Sequence, residues 1–384
     1  MKRILAFVLL AAMALTFCAC GKSGKDASPA AAPASTSSPD LTAEIEEAAA
    51  LFAAGSYAEA VEKLEAMQSA SSPLVSSLLG RAYYYGLGVK TDFDRAVGYL
   101  QDAAAGGVAS ARYLLGEAAR TGSGLRQDPD EAAKSYIKFV AAADEVSEDD
   151  PDYAASMAAL ADCFANGRGV EKKFELALDA ASKAAGRDDL TPFELMQLAK
   201  FFDGAMPNAV SSAADASGNY AVETVRKVDA AKADELYARA ASGILALADA
   251  GNLAAIKLLG DLYFDGKGGL EQDYAMALET YLRAADEDYA EAEAQLGYMY
   301  QNALGVEADY AAAMEWNNRA AQQGNAQGME QIGYLYQNGY GVTQNLDEAG
   351  RWYTRAKDAG SERAVALLEQ TEATNPHASF EAHA

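Results

Sequence analysis

The chain is 384 residues long, 51% hydrophobic, and carries a formal net charge of −25. With only 9 prolines and abundant alanine it suits close-packed helices better than sheets, and a polypeptide this acidic repels phosphate backbones, which argues against nucleic acid as a partner. Its two histidines, His377 and His383, fall in the last eight residues, so the body offers no Ser-His-Asp or Cys-His catalysis and no histidine-based metal site, and nothing in it points to a cofactor.

Lys2 and Arg3 precede an apolar run from Ile4 to Phe17, the layout of an export signal and too short for a usual membrane span. The segment LTFCACGKSG follows. With Ala19 ahead of Cys20 it resembles a bacterial lipoprotein signal. That resemblance implies removal of residues 1–19, lipidation of Cys20 and, with Gly at position 21, sorting to the outer membrane on its periplasmic side. Cys18, behind the bulkier Phe17, is the alternative processed residue, and secretion as a soluble protein is the alternative fate. Residues 20–42 are small, polar and punctuated by proline, the composition of a flexible tether. Residues 43–72, beginning AEIEEAAALFAAGSYAEAVEKLEAMQS, are expected to form one tetratricopeptide-like helix pair.

From residue 74 to 360 the chain repeats itself. LLGRAYYYGLGVKTDFDRAVGYLQDAAAGG begins at Leu78, LLGDLYFDGKGGLEQDYAMALETYLRAADED at Leu258, QLGYMYQNALGVEADYAAAMEWNNRAAQQG at Gln295 and QIGYLYQNGYGVTQNLDEAGRWYTRAKDAG at Gln331. A fixed period of this size indicates stacked helix pairs. In each unit the first helix carries a small residue (Gly80, Gly116, Ala161, Ala199, Gly260, Gly297, Gly333), which lets a neighbour approach closely. A glycine turn follows, as in Gly86-Leu87-Gly88 and Gly339-Tyr340-Gly341. The second helix places Tyr99, Tyr136, Ala180, Leu236, Thr280, Trp316 or Trp352 three residues after an alanine. We read this column, with both tryptophans, as core packing. Cys163 falls in a core column of the first helices and reads as an inert buried thiol. The acidic stretch Asp144–Asp152 lacks the alternation of a calcium loop and reads as a solvated linker. Residues 205–229 interrupt the fourth unit as an insertion, mobile or partly helical, and residues 361–384 as a capping helix with a frayed tail.

The pattern LG-x-x-Y-x-x-G-x-G-V followed by A-x-x-W-Y-x-x-A-A-x-x-G closely resembles the Sel-like repeats, relatives of the tetratricopeptide repeats. About seven units are present, those from Met157 and Phe193 being degenerate. The resemblance implies an all-α fold, a right-handed superhelical solenoid of antiparallel helix pairs, and a non-enzymatic scaffold or adaptor that binds partner proteins or peptides. It also implies that first helices line the concave side. On those helices, positions one and four after the small residue share a face. They hold Tyr298 with Gln301 and Tyr334 with Gln337, a ladder suited to an extended peptide, and Arg81 with Tyr84 at the same register. The alternative function is a cell-wall hydrolase or processing factor using carboxylates only, although no paired carboxylates are visible at a core register.

Overall fold

The computed structural model describes residues 41–68, 71–206, 226–227 and 229–374. The export signal with Cys18 and Cys20, the tether up to Asp40, most of the 205–229 insertion and the tail beyond Thr374 lie outside these residues. The described chain is a helical solenoid. Helices α1 (Thr42–Ala53) and α2 (Tyr57–Ala66) form the first hairpin. Seven more follow: α3 (Pro73–Tyr85) with α4 (Phe93–Ala105), α5 (Ala109–Thr121) with α6 (Pro129–Ala143), and α7 (Tyr153–Asn166) with α8 (Phe174–Ala185). Then come α9 (Pro192–Asp203) with α10 (Ala230–Asp249), α11 (Leu253–Asp265) with α12 (Tyr274–Ala285), α13 (Ala290–Asn302) with α14 (Tyr310–Gln322), and α15 (Ala326–Asn338) with α16 (Leu346–Asp358). Helix α17 (Glu362–Thr374) packs on α16. The 205–229 insertion leaves and returns through a two-residue antiparallel pair, β1 (Ala205–Met206) with β2 (Arg226–Lys227).

Local chemistry sets the helix ends. Asp92, Asp128, Asp229, Asp273, Asp309 and Asn345 cap the second helices by accepting backbone N–H groups of the first turn. In the turn after α3, Gly86 ends the helix in the left-handed region at φ 67°. Two residues on, Gly88 lies against the backbone of Tyr57 and Ala58, where a side chain would sit 2.4 Å from the Ala58 nitrogen. The paired glycines thus do two jobs: one terminates a helix and the other seats the turn on the preceding unit. After α13 the left-handed cap is Ala303, at φ 57°, a departure from glycine.

In the five hairpins whose small residue is glycine, that glycine meets one side chain of the second helix. A methyl group on Gly116 would lie 2.7 Å from the Tyr136 ring, on Gly260 2.5 Å from Tyr281, and on Gly333 2.6 Å from Tyr353. Leu100 covers Gly80 and Asn317 covers Gly297. The buried column of the second helix is therefore Leu100, Tyr136, Ala181, Tyr237, Tyr281, Asn317 and Tyr353. Each stands four residues after a buried alanine, not three. Trp316 and Trp352, expected in the core column, are half-buried beside it, with the guanidiniums of Arg319 and Arg355 over their rings at 4.5 and 4.6 Å. Positions three and four lie on the same helical face, so spacing alone does not separate them.

Arginines staple unit to unit. Arg239 donates to the Ala185 carbonyl, Arg283 to Ala248 and Arg319 to Ala285, each capping the C-terminal end of the previous second helix. Asp152, grouped above with a solvated linker, is instead buried: it accepts from the Ser110 backbone and hydroxyl and from Ser156. Cys163 is fully buried, and burial holds its thiol well above the usual range.

Two glycines discriminate the packing role from simple helix propensity. Gly98 in the middle of α4 has open space around it, whereas Gly260 faces the Tyr281 ring. Gly98→Ala is expected to stabilise by about 1 kcal/mol. Gly260→Ala is expected to cost about 1–3 kcal/mol through overpacking. Urea unfolding of the two variants checks this, and shifts in the same direction would contradict it.

Candidate protein-binding face

The residue after each small position defines a column along the first helices: Arg81, Glu117, Asp162, Lys200, Asp261, Tyr298 and Tyr334. Its first five members are held by other parts of the chain. Arg81 Nη2 donates to both Glu194 oxygens, at 2.8 and 2.7 Å, with both side chains nearly inaccessible. Burial opposes the Arg81 charge, but the Glu194 carboxylate outweighs it and raises the guanidinium pKa. Glu194 sits in a capping box with Thr191 at the start of α9, 113 residues from Arg81. Around this pair the Tyr85 ring stacks on Phe193 at 5.0 Å, and the Asn252 amide donates to the Tyr85 and Gly86 carbonyls at 2.7 and 2.9 Å. Helix α3 is therefore closed against α9 and the start of α11. Arg81, expected to line a binding groove, is buried and engaged there. Tyr84 is half-buried, edge-on to Tyr85 and Phe93, at the rim of a cleft of about 1880 Å³ between the α1–α2 turn and α10 to α13.

The next members form a carboxylate pair that the sequence did not reveal. Glu117 and Asp162 both contact Arg168 Nη1, Asp162 at 2.9 Å. Burial raises the Asp162 pKa, whereas for Glu117 the nearby Arg168 and Arg120 overcome burial and lower it. Opposite shifts in two neighbouring carboxylates are a mark of acid–base chemistry. Here every oxygen already has a partner: Glu117 accepts from Arg120, Arg168 and Tyr136, and Asp162 from Arg168, Tyr113 and Asn166. The pair is an internal ion-pair network. Further along, Asp261 accepts from Lys200, Lys257 and Tyr281 at 2.9–3.0 Å.

The last two members have no ionic partners and look outward. Tyr298 is 37% exposed. It lies against Phe264, which packs edge-on to Tyr274. Tyr334 lies against Tyr340, and Tyr340, also 37% exposed, stacks on Tyr310 at 5.0 Å. Tyr274 and Tyr310, like Tyr298 and Tyr334, stand 36 residues apart, so an aromatic cluster recurs at the turn edge of two consecutive units. That shared spacing was the available signal for Tyr274 and Tyr310, which sequence reasoning did not single out. The two glutamines point elsewhere. Gln337 Oε1 accepts the Tyr353 hydroxyl at 2.6 Å, inside its own hairpin. Gln301, one unit earlier, has a buried Oε1 with no protein partner, because Asn317 stands where the other unit has Tyr353. The ladder is thus one of tyrosines, with the amides turned to the hairpin interior.

A Sel1 repeat family model matches residues 77–108, 109–138, 154–189, 253–289, 290–325 and 326–361, together more than half of the sequence. The chain belongs to the Sel1 repeat family. Two described hairpins of this Sel1 protein fall outside the match: α1 with α2, and α9 with α10, which carries the insertion. Similar solved structures include a protective antigen of uropathogenic Escherichia coli displaying an SLR fold, 23% identical, with 88% of this chain and 66% of that one covered and a TM-score of 0.33. Others are a Sel1 repeat protein of Oxalobacter formigenes, 22% identical over 82% and 96% with a TM-score of 0.30, and an immunity protein of Pseudomonas aeruginosa, 21% identical over 69% and 82% with a TM-score of 0.32. No curated protein matches the sequence. Sel1 repeats generally mediate protein–protein interaction.

Asn317 gives a direct check on the hairpin contact. It is fully buried and both amide atoms lack a protein partner, as does Gln301 Oε1. Asn317→Tyr restores the side chain found at 281 and 353 and brings a hydroxyl to Gln301. The expected gain is about 1 kcal/mol or more, read as a higher melting temperature. A lower one would show that this hairpin has closed around the smaller side chain.

Proposed function

We propose that this Sel1 repeat protein is a non-enzymatic adaptor of the bacterial cell envelope, tethered by a lipid on Cys20, that binds partner proteins on the tyrosine face of its last two repeats. The observation that carries this reading is the aromatic cluster repeated one unit apart, around Tyr298 and around Tyr334. Tyrosine presents a large, amphipathic contact surface at low entropic cost. The rest of the inner column is tied up in internal ion pairs, which leaves this stretch for a partner. Among the described residues no helix is long and apolar enough to cross a membrane; what supports attachment at Cys20 is the resemblance of the sequence around it to a lipoprotein signal. A hydrolase reading gains nothing from the Glu117–Asp162 pair, because both carboxylates are saturated by neighbouring donors.

The experiment compares wild type with Tyr298→Ala/Tyr334→Ala, each used to capture envelope proteins that are then identified by mass spectrometry. The double variant is expected to lose its specific partner several-fold while helix content by circular dichroism stays unchanged. Undiminished capture would exclude this face. A large loss of helix would place the tyrosines in the core. The tether is tested separately: Cys20→Ala is expected to abolish acyl labelling and release the protein from membranes, and retention of both would refute Cys20 as the anchor.

A further inference from the structure

Elsewhere in the structure several buried and half-buried rings lie under the chain's own cations. Arg95 lies over Tyr83 and Tyr99, Arg168 over Tyr136, Arg187 over Tyr153, Lys267 over Tyr237, Arg319 over Trp316 and Arg355 over Trp352. Among the described residues no cation lies over Tyr274, Tyr298, Tyr310, Tyr334 or Tyr340. Residues 290–345 hold six carboxylates and a single cation, Arg319. Arg319 is engaged with the Ala285 carbonyl, Asp288, Glu293 and Trp316. Exposed carboxylates also flank each cluster in the chain: Glu271 and Asp273 precede Tyr274, and Glu307 and Asp309 precede Tyr310.

We infer that the tyrosine face receives an extended, arginine- or lysine-bearing segment of the partner protein. The inference rests on the reading of that face given above and adds the charge of its occupant. A ring attracts a cation over its face, and carboxylates beside the ring strengthen the attraction without competing for the ring. The two clusters lie on consecutive repeats, whose helices pack about 10 Å apart. A segment in polyproline II conformation rises about 3.1 Å per residue with three residues per turn, so basic residues three apart share one side and reach successive clusters. The same spacing in an acidic segment would set its carboxylates against Glu271, Asp273, Glu307 and Asp309.

The probe is a labelled ten-residue Gly/Ser peptide with arginine at every third position, its binding measured by fluorescence polarisation at low salt. Against it stands the same peptide with glutamate in place of arginine. The decisive variant is Glu271→Gln, Asp273→Asn, Glu307→Gln and Asp309→Asn combined; asparagine keeps the helix caps, and circular dichroism verifies the fold. A second variant neutralises as many charges far from the face: Asp144→Asn, Glu145→Gln, Glu148→Gln and Asp149→Asn, all exposed on the α6–α7 linker. The arginine peptide is expected to bind wild type and the linker variant alike, and to bind the four-site variant about tenfold more weakly. Equal weakening by both variants would reduce the effect to the net charge of the molecule and overturn the inference. So would equal binding of the glutamate peptide, or undiminished binding to the four-site variant. Should the arginine peptide fail while Tyr298→Ala/Tyr334→Ala still loses the captured partner, the face binds proteins but not through basic residues, and only the present inference falls.

Discussion

The contact on which this solenoid depends is the seat of one side chain of the second helix over a residue without a side chain on the first. At Gly116, Gly260 and Gly333 the distance left for a methyl group is 2.5–2.7 Å, well inside van der Waals contact, so the hairpin closes only because glycine is there. A glycine within a helix costs about 1 kcal/mol. The buried tyrosines that it admits, Tyr136, Tyr281 and Tyr353, are among the larger core side chains, and burying a ring of that size contributes more than the glycine costs. Once the hairpins are set, stacking follows from small features at their edges: the second glycine of each turn against the preceding unit, and an arginine against the end of its last helix.

Stacking also decides which surface is left for a partner. The first helices face inward, and the early units curl far enough that α3 meets α9. A buried pair such as Arg81–Glu194 is weak as a source of stability, since desolvation of both charges offsets their attraction. Its geometry is directional, however, and with Asn252 holding the Tyr85 and Gly86 carbonyls it specifies one curvature. What would be an open concave groove in a looser array is here an interior. The column that reads Arg, Glu, Asp, Lys and Asp is satisfied by ion pairs within the chain, and where it changes to tyrosine those ion pairs end.

The hairpins and their glycine period were legible in the sequence, because each is decided within one unit of about 36 residues. The α9–α10 hairpin was legible as a degenerate copy although it falls outside the family pattern. What escaped depends on contacts between distant units or on a single step of register. Glu194 lies 113 residues from Arg81, and Arg168, which binds Glu117 to Asp162, sits in the turn of a degenerate unit. Trp316 rather than Asn317 was read as the core residue because both lie on one face of α14. Gln301 and Gln337 share a face with Tyr298 and Tyr334, yet a long amide bends toward the nearest unsatisfied hydroxyl, and Tyr353 supplies one for Gln337.

The acidity of the molecule is a matter of composition, but its architecture governs where the cations sit. An array of hairpins ends many helices, and every end leaves carbonyls without intrahelical partners. Arg239, Arg283 and Arg319 are drawn into these ends, and Arg81, Arg120 and Arg168 into the inner carboxylates. With 31 Lys and Arg against 56 Asp and Glu, cations engaged in stapling are not available to neutralise the exterior. The surface field is therefore negative by composition, and around the last turns tyrosine has replaced charge in the inner column. Such a field speeds the approach of a basic partner and slows that of an acidic one. A segment that binds by its basic residues would therefore meet a favourable field on approach, whichever face receives it.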